Sequence, residues 1–117
     1  MPNDYTVTIY TKTYDLLAWL FPLTAKFPKE QRFVLAQRLI DAATELYELL
    51  IAARRTKPVE ARRETLAQAD VKLEQLRLYF RLSKDLKLIS IPQYEQSAQR
   101  TDEIGRLLGD QIKRANM

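Results

Sequence analysis

Apolar residues recur every three or four positions along four segments of this 117-residue chain, and this spacing is typical of amphipathic α-helices. Proline separates the segments, because a residue without an N–H and with a fixed φ is excluded from helix interiors and accepted at helix starts. Pro28, Pro58 and Pro92 divide the chain in this way. The predicted helices cover roughly residues 8–26, 29–55, 59–87 and 91–114.

Short links between long helices predict antiparallel neighbours. The predicted fold class is therefore all-α: one antiparallel up-down-up-down four-helix-bundle domain over residues 1–117. Ser90 and Gln93 have the S-x-x-Q form of a capping box, which predicts where the fourth helix begins. The first helix has weaker N-cap candidates, which are Asp4, Thr6 and Thr8. Pro22 lies inside that helix and predicts a bend. A proline at such a position destabilises a helix by about 3 kcal/mol unless packing compensates.

Each segment has an apolar face that we expect to be buried. The first segment has two adjacent stripes: Tyr14, Leu17 and Phe21, and beside them Leu16, Leu20 and Leu23. The predicted face of the second segment comprises Phe33, Ala36, Ile40, Ala43, Tyr47 and Leu50. The third segment has a coiled-coil-like seam of Leu66, Ala69, Leu73, Leu76 and Phe80. The inward residues predicted for the fourth are Tyr94, Ala98, Thr101, Ile104, Leu108 and Ile112.

The first and third segments have more apolar residues than one bundle face can bury. In the third segment, the residues off the seam are Val71, Leu78, Tyr79 and Leu82. Such an excess predicts contacts between subunits of a homo-oligomer. Gly105 and Gly109 are four residues apart in the fourth segment, and small residues at this spacing predict the close approach of another helix.

The composition excludes most familiar enzyme classes. Without cysteine or histidine, the chain cannot form disulfides, thiol nucleophiles, zinc fingers, Ser-His-Asp triads or Glu-x-x-His di-iron sites. With two glycines it has no Gly-rich phosphate loop. We expect a protein that is not an enzyme and that uses no metal and no cofactor.

A group of carboxylates is the nearest approach to a metal site. Its members are Asp41, Glu45 and Glu48, with Glu60 or Glu64 as further candidates. Because buried carboxylates are rare, we favour a solvated face that pairs with Arg38.

The longest apolar run, from Leu16 to Leu23, is much shorter than the roughly 20 residues of a membrane span. The first ten residues lack the positive charge and apolar stretch of a secretory signal. We therefore predict a cytoplasmic protein without a membrane partner.

Aromatic residues crowd the start of the chain, and stacked aromatics with nearby cations often hold single-stranded nucleic acids. They are Tyr5, Tyr10, Tyr14 and Trp19. Only Lys12 and Lys26 supply basic charge among the first 28 residues, so we favour core or subunit contacts for most of these aromatics. Tyr5 and Tyr10 are predicted to be exposed.

Basic residues are concentrated in residues 54–87, where ten oppose five acidic residues, whereas the whole chain has a net charge of +4. Arg77, Arg81 and Lys84 follow an i, i+4, i+7 stripe. A second group surrounds the link between the second and third helices: Arg54, Arg55, Arg62 and Arg63. A solvated face with pairs such as Glu74–Arg77 and a phosphate-binding face are both open. Repetition around a homo-oligomer favours phosphate binding.

Several stretches resemble the accessory variability determinant (Avd) proteins of diversity-generating retroelements, over nearly the whole chain. They are Tyr14-Asp15-Leu16-Leu17, Phe21-Pro22-Leu23, Phe27-Pro28-Lys29, Leu76-Arg77-Leu78-Tyr79-Phe80-Arg81 within Leu73 to Leu82, and Gly105-Arg106-Leu107-Leu108-Gly109. The resemblance implies a non-enzymatic, basic homopentamer of four-helix bundles that binds the retroelement reverse transcriptase and RNA or DNA, and that supports mutagenic cDNA synthesis.

In this family resemblance, Arg77 and Arg81 match an arginine pair on the third helix. The full set of candidate nucleic-acid-binding or polymerase-binding residues is Arg54, Arg55, Arg62, Arg63, Lys72, Arg77, Arg81, Lys84 and Lys87. The sequence departs from the pattern by having acidic residues near the basic stripe, at Asp70, Glu74 and Asp110.

An alternative is a structural or interaction bundle of the type encoded in intervening sequences of ribosomal RNA, without a polymerase partner. A neighbouring reverse-transcriptase gene with paired template and variable repeats favours the first interpretation. A location inside a ribosomal RNA gene favours the second.

Overall fold

The computed structural model describes residues 8–117, which are helical and contain no strand. The helices are α1 (Ile9–Ala25), α2 (Lys29–Gln31), α3 (Gln37–Arg55), α4 (Val59–Asp85) and α5 (Ile91–Ala115), with a π-helical turn at Arg32–Ala36. Because α2, the π turn and α3 follow one another without a break, the described chain has four helical rods. The predicted bounds agree with these rods within two residues at every end. None of these helices is both long and apolar enough to cross a bilayer.

The ends of the rods have local explanations. The predicted capping box of α5 is confirmed, because Gln93 N donates to Ser90 Oγ at 3.1 Å and Ser90 N donates to Gln93 Oε1 at 2.8 Å. Thr8 occupies the N-cap position of α1 without a capping hydrogen bond from its side chain. Asp4 and Thr6 lie outside the described residues. α1 continues through Pro22, as predicted.

The end of α4 is a Schellman motif. Leu88 N donates to Ser83 O at 2.8 Å, and Lys87 N donates to Lys84 O at 2.9 Å. Lys87 adopts a left-handed φ of 62°, a conformation that glycine would adopt with less strain. This motif turns the chain toward α5 within five residues.

The core lies between the four rods. The sequence predicts the buried residues of α4 more accurately than those of the other helices. The predicted seam is confirmed, because all five of its side chains are at most 1% exposed. In α1 only one of the two predicted stripes is buried, that of Leu16, Leu20 and Leu23. Tyr14 and Phe21 of the other stripe are 61% and 51% exposed, which agrees with the expectation that one bundle face cannot bury both stripes.

The buried face predicted for the second rod is rotated relative to the observed one. Phe33 is 81% exposed, and Ile40 and Tyr47 are half-buried. The buried residues of this rod are Leu35, Ala36, Leu39, Ala42, Ala43, Leu46, Leu50 and Ala53. Ala36, Ala43 and Leu50 of the predicted face are therefore confirmed, but the observed face also includes the adjacent stripe of Leu39 and Leu46, which lie one residue before Ile40 and Tyr47. The π turn also adds a residue to one helical turn, which displaces Phe33 from a regular α-helical face.

The inward face of α5 is confirmed at Thr101, Ile104 and Leu108, which are at most 2% exposed. The other predicted inward residues, Tyr94, Ala98 and Ile112, are half-buried.

The two glycines of α5 have different surroundings. A Cβ atom at Gly105 would lie 2.6 Å from Arg77 Nη2 and 3.4 Å from Leu73 Cδ2, so side chains of α4 occupy the space beside this glycine. At Gly109 a Cβ atom would meet nothing within 4 Å. Within the described chain, therefore, no helix approaches Gly109 closely.

We expect a Gly109→Ala substitution to raise the free energy of unfolding by about 1 kcal/mol, because alanine has the higher helix propensity and the added methyl group meets no atom. Gly105→Ala is the matched comparison and should gain less, since the Arg77 guanidinium must move. Denaturant unfolding of both variants measures the difference. Destabilisation by Gly109→Ala would show that another molecule covers this position.

Side-chain contacts join the rods at their ends. Tyr10 Oη donates to Leu50 O at 3.3 Å, so the start of α1 lies beside the end of α3. Arg63 Nε donates to Ala115 O at 2.6 Å, so the start of α4 lies beside the end of α5. One end of the structure therefore brings together parts of all four rods.

Candidate nucleic-acid interface

Five arginines gather where these rods meet, and we call them the arginine end. Arg54 and Arg55 lie in the last turn of α3, and Arg114 lies in the last turn of α5. Arg62 and Arg63 lie near the start of α4. In residues 8–117, none of the five forms a salt bridge. The positive charge of this end is therefore available to an anionic partner.

Three of these arginines are held by contacts that leave most of their donors available. Arg62 Nε donates to Thr56 O at 3.4 Å, and Arg63 Nε donates to Ala115 O. Cations are favoured at these carbonyls because both belong to helix C-termini. The Arg54 guanidinium lies 4.6 Å from the centroid of the Tyr10 ring, a cation–π contact. Since a guanidinium has five N–H donors, each keeps donors for a phosphate.

Tyr10 is not the exposed aromatic that the sequence predicts. Its ring is half-buried beneath Arg54. Burial raises the pKa of Tyr10 above its ordinary value of 10.0; Arg54 and Arg62 lower it and Tyr47 raises it, and the effect of burial is the largest. The phenol is therefore neutral at neutral pH. Tyr5, the other aromatic predicted to be exposed, lies outside the described residues.

The three residues of the predicted basic stripe on α4, Arg77, Arg81 and Lys84, have different surroundings. Arg77 contacts α5. Arg77 lies 3.0 Å from Glu74 Oε1 and 3.6 Å from Asp102 Oδ1, and its Nη2 donates to Thr101 O at 3.3 Å. Two carboxylates thus offset its charge, and the side chain joins α4 to α5. The solvated pair Glu74–Arg77 is present as the sequence suggests.

The other two members of the stripe differ from Arg77. Lys84 Nζ lies 3.4 Å from Asp85 Oδ1 and 4.6 Å from the centroid of the Tyr94 ring. Arg81 is exposed and forms no salt bridge with any residue that the structure describes. Arg81 is therefore the member of the stripe whose charge remains most available.

The remaining two candidates lie apart from the arginine end. Lys72 Nζ pairs with Glu45 Oε1 at 2.7 Å on the side of α4 that faces α3. Lys87 is exposed in the turn after α4. The nine predicted residues therefore form one cluster of four and a dispersed set of five along α4 and the turn that follows it.

The acidic side chains of α3 do not pair with Arg38, which was the predicted partner. Glu45 pairs with Lys72, and Asp41 accepts a hydrogen bond from Gln37 Nε2 at 2.8 Å. No group of three or more acidic side chains is arranged to hold a metal ion anywhere in residues 8–117.

Arg114 is not among the candidate binding residues predicted from the sequence. Arg114 is distant from Arg62 in sequence, because most of α4 and α5 lies between them. The available signal was the basic last turn of the fourth segment combined with the predicted helix order. Arg100 is also missing from the predicted set, and its guanidinium lies 5.2 Å from the centroid of the Trp19 ring. Trp19 Nε1 donates to Gln96 Oε1 at 3.1 Å, so this half-buried indole contacts α5.

The fold and the arginine end define a small, basic helical-bundle protein. The family model described as bAvd-like matches residues 7–115. The chain therefore belongs to the bAvd-like family, and the resemblance to Avd proteins is confirmed. No curated protein matches the sequence.

Proposed function

We propose that this protein is a non-enzymatic accessory protein of a diversity-generating retroelement. In this proposal it is a cytoplasmic homo-oligomer that binds the retroelement reverse transcriptase and RNA or DNA, and it supports mutagenic cDNA synthesis. Membership of the bAvd-like family supports the accessory role. The observation that carries nucleic-acid binding is the arginine end, where basic side chains converge without carboxylate partners in the described chain.

The proposed architecture of the protomer is an antiparallel up-down-up-down four-helix bundle. The Tyr10–Leu50 and Arg63–Ala115 contacts support it, because each joins the start of one helix to the end of another. Lys12 pairs with Glu103 at 3.1 Å, and Trp19 Nε1 donates to Gln96 Oε1 at 3.1 Å. Since residue numbers rise along α1 while those of the partners in α5 fall, the two contacts support an antiparallel arrangement of α1 and α5.

The proposed oligomer is supported by the outer line of α4. Val71, Leu78 and Leu82 are 54%, 58% and 42% exposed, and their spacing of seven and four residues aligns them on the helix side opposite the core. Exposed apolar residues in a line favour association with another protein surface. The number of five subunits comes from the family resemblance.

Binding through the arginine end would be mainly electrostatic. Guanidinium groups pair with phosphate oxygens, and phosphates are present in every sequence. We therefore expect affinity to depend weakly on base sequence. We also expect the logarithm of the association constant to fall with the logarithm of salt concentration, by about 0.9 per phosphate contact on duplex DNA.

We expect the double variant Arg55→Ala, Arg63→Ala to weaken binding to unrelated RNA and DNA fragments to similar extents. The salt slope should decrease by about 0.9 for each duplex phosphate that the variant no longer neutralises. Electrophoretic or fluorescence titrations at several salt concentrations measure both effects. Circular dichroism should show unchanged helicity.

The two arginines that match the family pattern provide the comparison. Arg81→Ala should reduce the salt slope, whereas Arg77→Ala should reduce stability because Arg77 joins α4 to α5. Unchanged nucleic-acid binding in all these variants would contradict the proposed interface. If only the interaction with the reverse transcriptase is abolished, the basic surface docks the polymerase instead.

A further inference from the structure

The arginine end contains a pocket of about 320 Å³ at the junction of α1, α3, α4 and α5. Its polar lining consists of Tyr10, Arg54, Arg62, Gln111 and Arg114. Apolar side chains complete it: Ala53, Val59, Leu66 and Ala115. Among residues 8–117, no carboxylate lines the pocket. Three cationic groups therefore face one concave space, and no acidic side chain of the described chain lines it to offset their repulsion.

The pocket is also partly preorganised. Arg54 is stacked on Tyr10, and Arg62 is held through its Nε atom by Thr56 O. The terminal N–H groups of both guanidiniums are not used by these contacts. Tyr10 donates its hydroxyl proton to Leu50 O, so its ring serves as a wall of the pocket and as the support for Arg54. An anion would meet donors that are already positioned.

We propose that this pocket binds a terminal phosphate, that is, a phosphate monoester at the end of a nucleic-acid strand or on a free nucleotide. A monoester carries a charge of about −1.5 to −2 at pH 7 and has three terminal oxygens. An internal phosphodiester has a single negative charge and two unbridged oxygens. Three convergent arginines match the monoester better, and the pocket has room for more than the phosphate group. This inference rests on the proposed nucleic-acid binding.

The test compares oligonucleotides of one sequence with a 5′-phosphate, with a 3′-phosphate, or with hydroxyl groups at both ends. Because a hydrogen bond to a charged group contributes about 1.5–3 kcal/mol, which corresponds to at least tenfold in affinity, we expect about tenfold or tighter binding of a phosphorylated strand. Equal affinities for all three strands would overturn the pocket assignment and leave general nucleic-acid binding intact. Failure of every strand to bind would overturn the proposed function as well.

The chain offers matched controls for each arginine of the pocket. Arg54→Gln, Arg62→Gln and Arg114→Gln each remove one pocket cation. Their neighbours in sequence, Arg55, Arg63 and Lys113, are exposed and do not line the pocket.

Arg55→Gln, Arg63→Gln and Lys113→Gln therefore remove the same charge outside the pocket. Both sets should weaken binding in general, but only the pocket set should reduce the preference for a phosphorylated end to less than about twofold. Loss of the preference in both sets would contradict the assignment, because net charge alone would then explain it.

Adenosine monophosphate and adenosine distinguish the two sources of a monoester. Binding of the monophosphate as tight as that of the phosphorylated strand indicates a free nucleotide as the occupant, whereas tighter binding of the strand indicates a strand end. Both outcomes support a monoester site. If neither the phosphorylated strands nor the monophosphate bind better than their unphosphorylated counterparts, the proposal is wrong.

Tyr10 provides a spectroscopic measurement that does not depend on nucleic acid. A phosphate beside Arg54 and Arg62 adds negative charge near the phenol, and should raise the pKa of Tyr10 further above 10.0. Ultraviolet titration of the phenolate, with and without inorganic phosphate and with Tyr10→Phe as the blank, measures this shift. No shift at saturating phosphate would contradict occupation of the pocket.

Discussion

A Phe80→Ala variant is expected to lose about 3–5 kcal/mol in the free energy of unfolding. The Phe80 side chain is 1% exposed, and its ring centroid lies 6.0 Å from that of Trp19 with an interplanar angle of 49°. The substitution leaves a cavity between α1, α4 and α5 and removes this aromatic contact. Because small domains are stable by about 5–15 kcal/mol, the loss is a large fraction of the total. Guanidinium unfolding followed by circular dichroism measures it.

Arg81→Ala is the control for this prediction, because Arg81 is the next residue of the same helix and is exposed. It should change stability by less than about 0.5 kcal/mol. Similar losses for the two variants would contradict the placement of the Phe80 ring in the core.

The second large effect concerns self-association. A double variant Val71→Glu, Leu78→Glu should convert the proposed oligomer into monomers of 13.7 kDa. The reason is that each substitution replaces an apolar contact by a carboxylate, and burial of an unpaired charge is strongly unfavourable. Full burial of a Val or Leu side chain contributes about 1.5–3 kcal/mol, and both substitutions recur at every subunit contact of the proposed homo-oligomer. Sedimentation velocity measures the change.

Gln99→Glu is the matched control, since it adds the same type of charge at an exposed position on α5. It should leave the sedimentation coefficient unchanged. If the parent protein sediments as a monomer, the proposed homo-oligomer is wrong. If the double variant assembles like the parent, the interface lies elsewhere and the exposed line on α4 serves another partner.

The bounds of the helices and the seam of α4 could be predicted because their causes are local. Proline cannot continue a helix, and the apolar residues of α4 leave only one continuous seam from Leu66 to Phe80. The capping box likewise needs only Ser90 and Gln93. The buried face of α3 could not be predicted in the same way, because Leu39 and Ile40 belong to adjacent stripes of similar hydrophobicity. Only packing against the other rods distinguishes those stripes.

The candidate site also has features that local sequence predicts and features that only the packing of the helices explains. The sequence by itself determined the four rods and the grouping of Arg54, Arg55, Arg62 and Arg63, since a short link keeps the end of α3 near the start of α4. Tertiary structure decided that Arg114 joins this group and that Tyr10 is half-buried beneath Arg54. It also decided that Asp102 offsets the charge of Arg77. These contacts join helices that are distant in sequence, and the distances between such residues are set by the packing of the whole core rather than by local spacing.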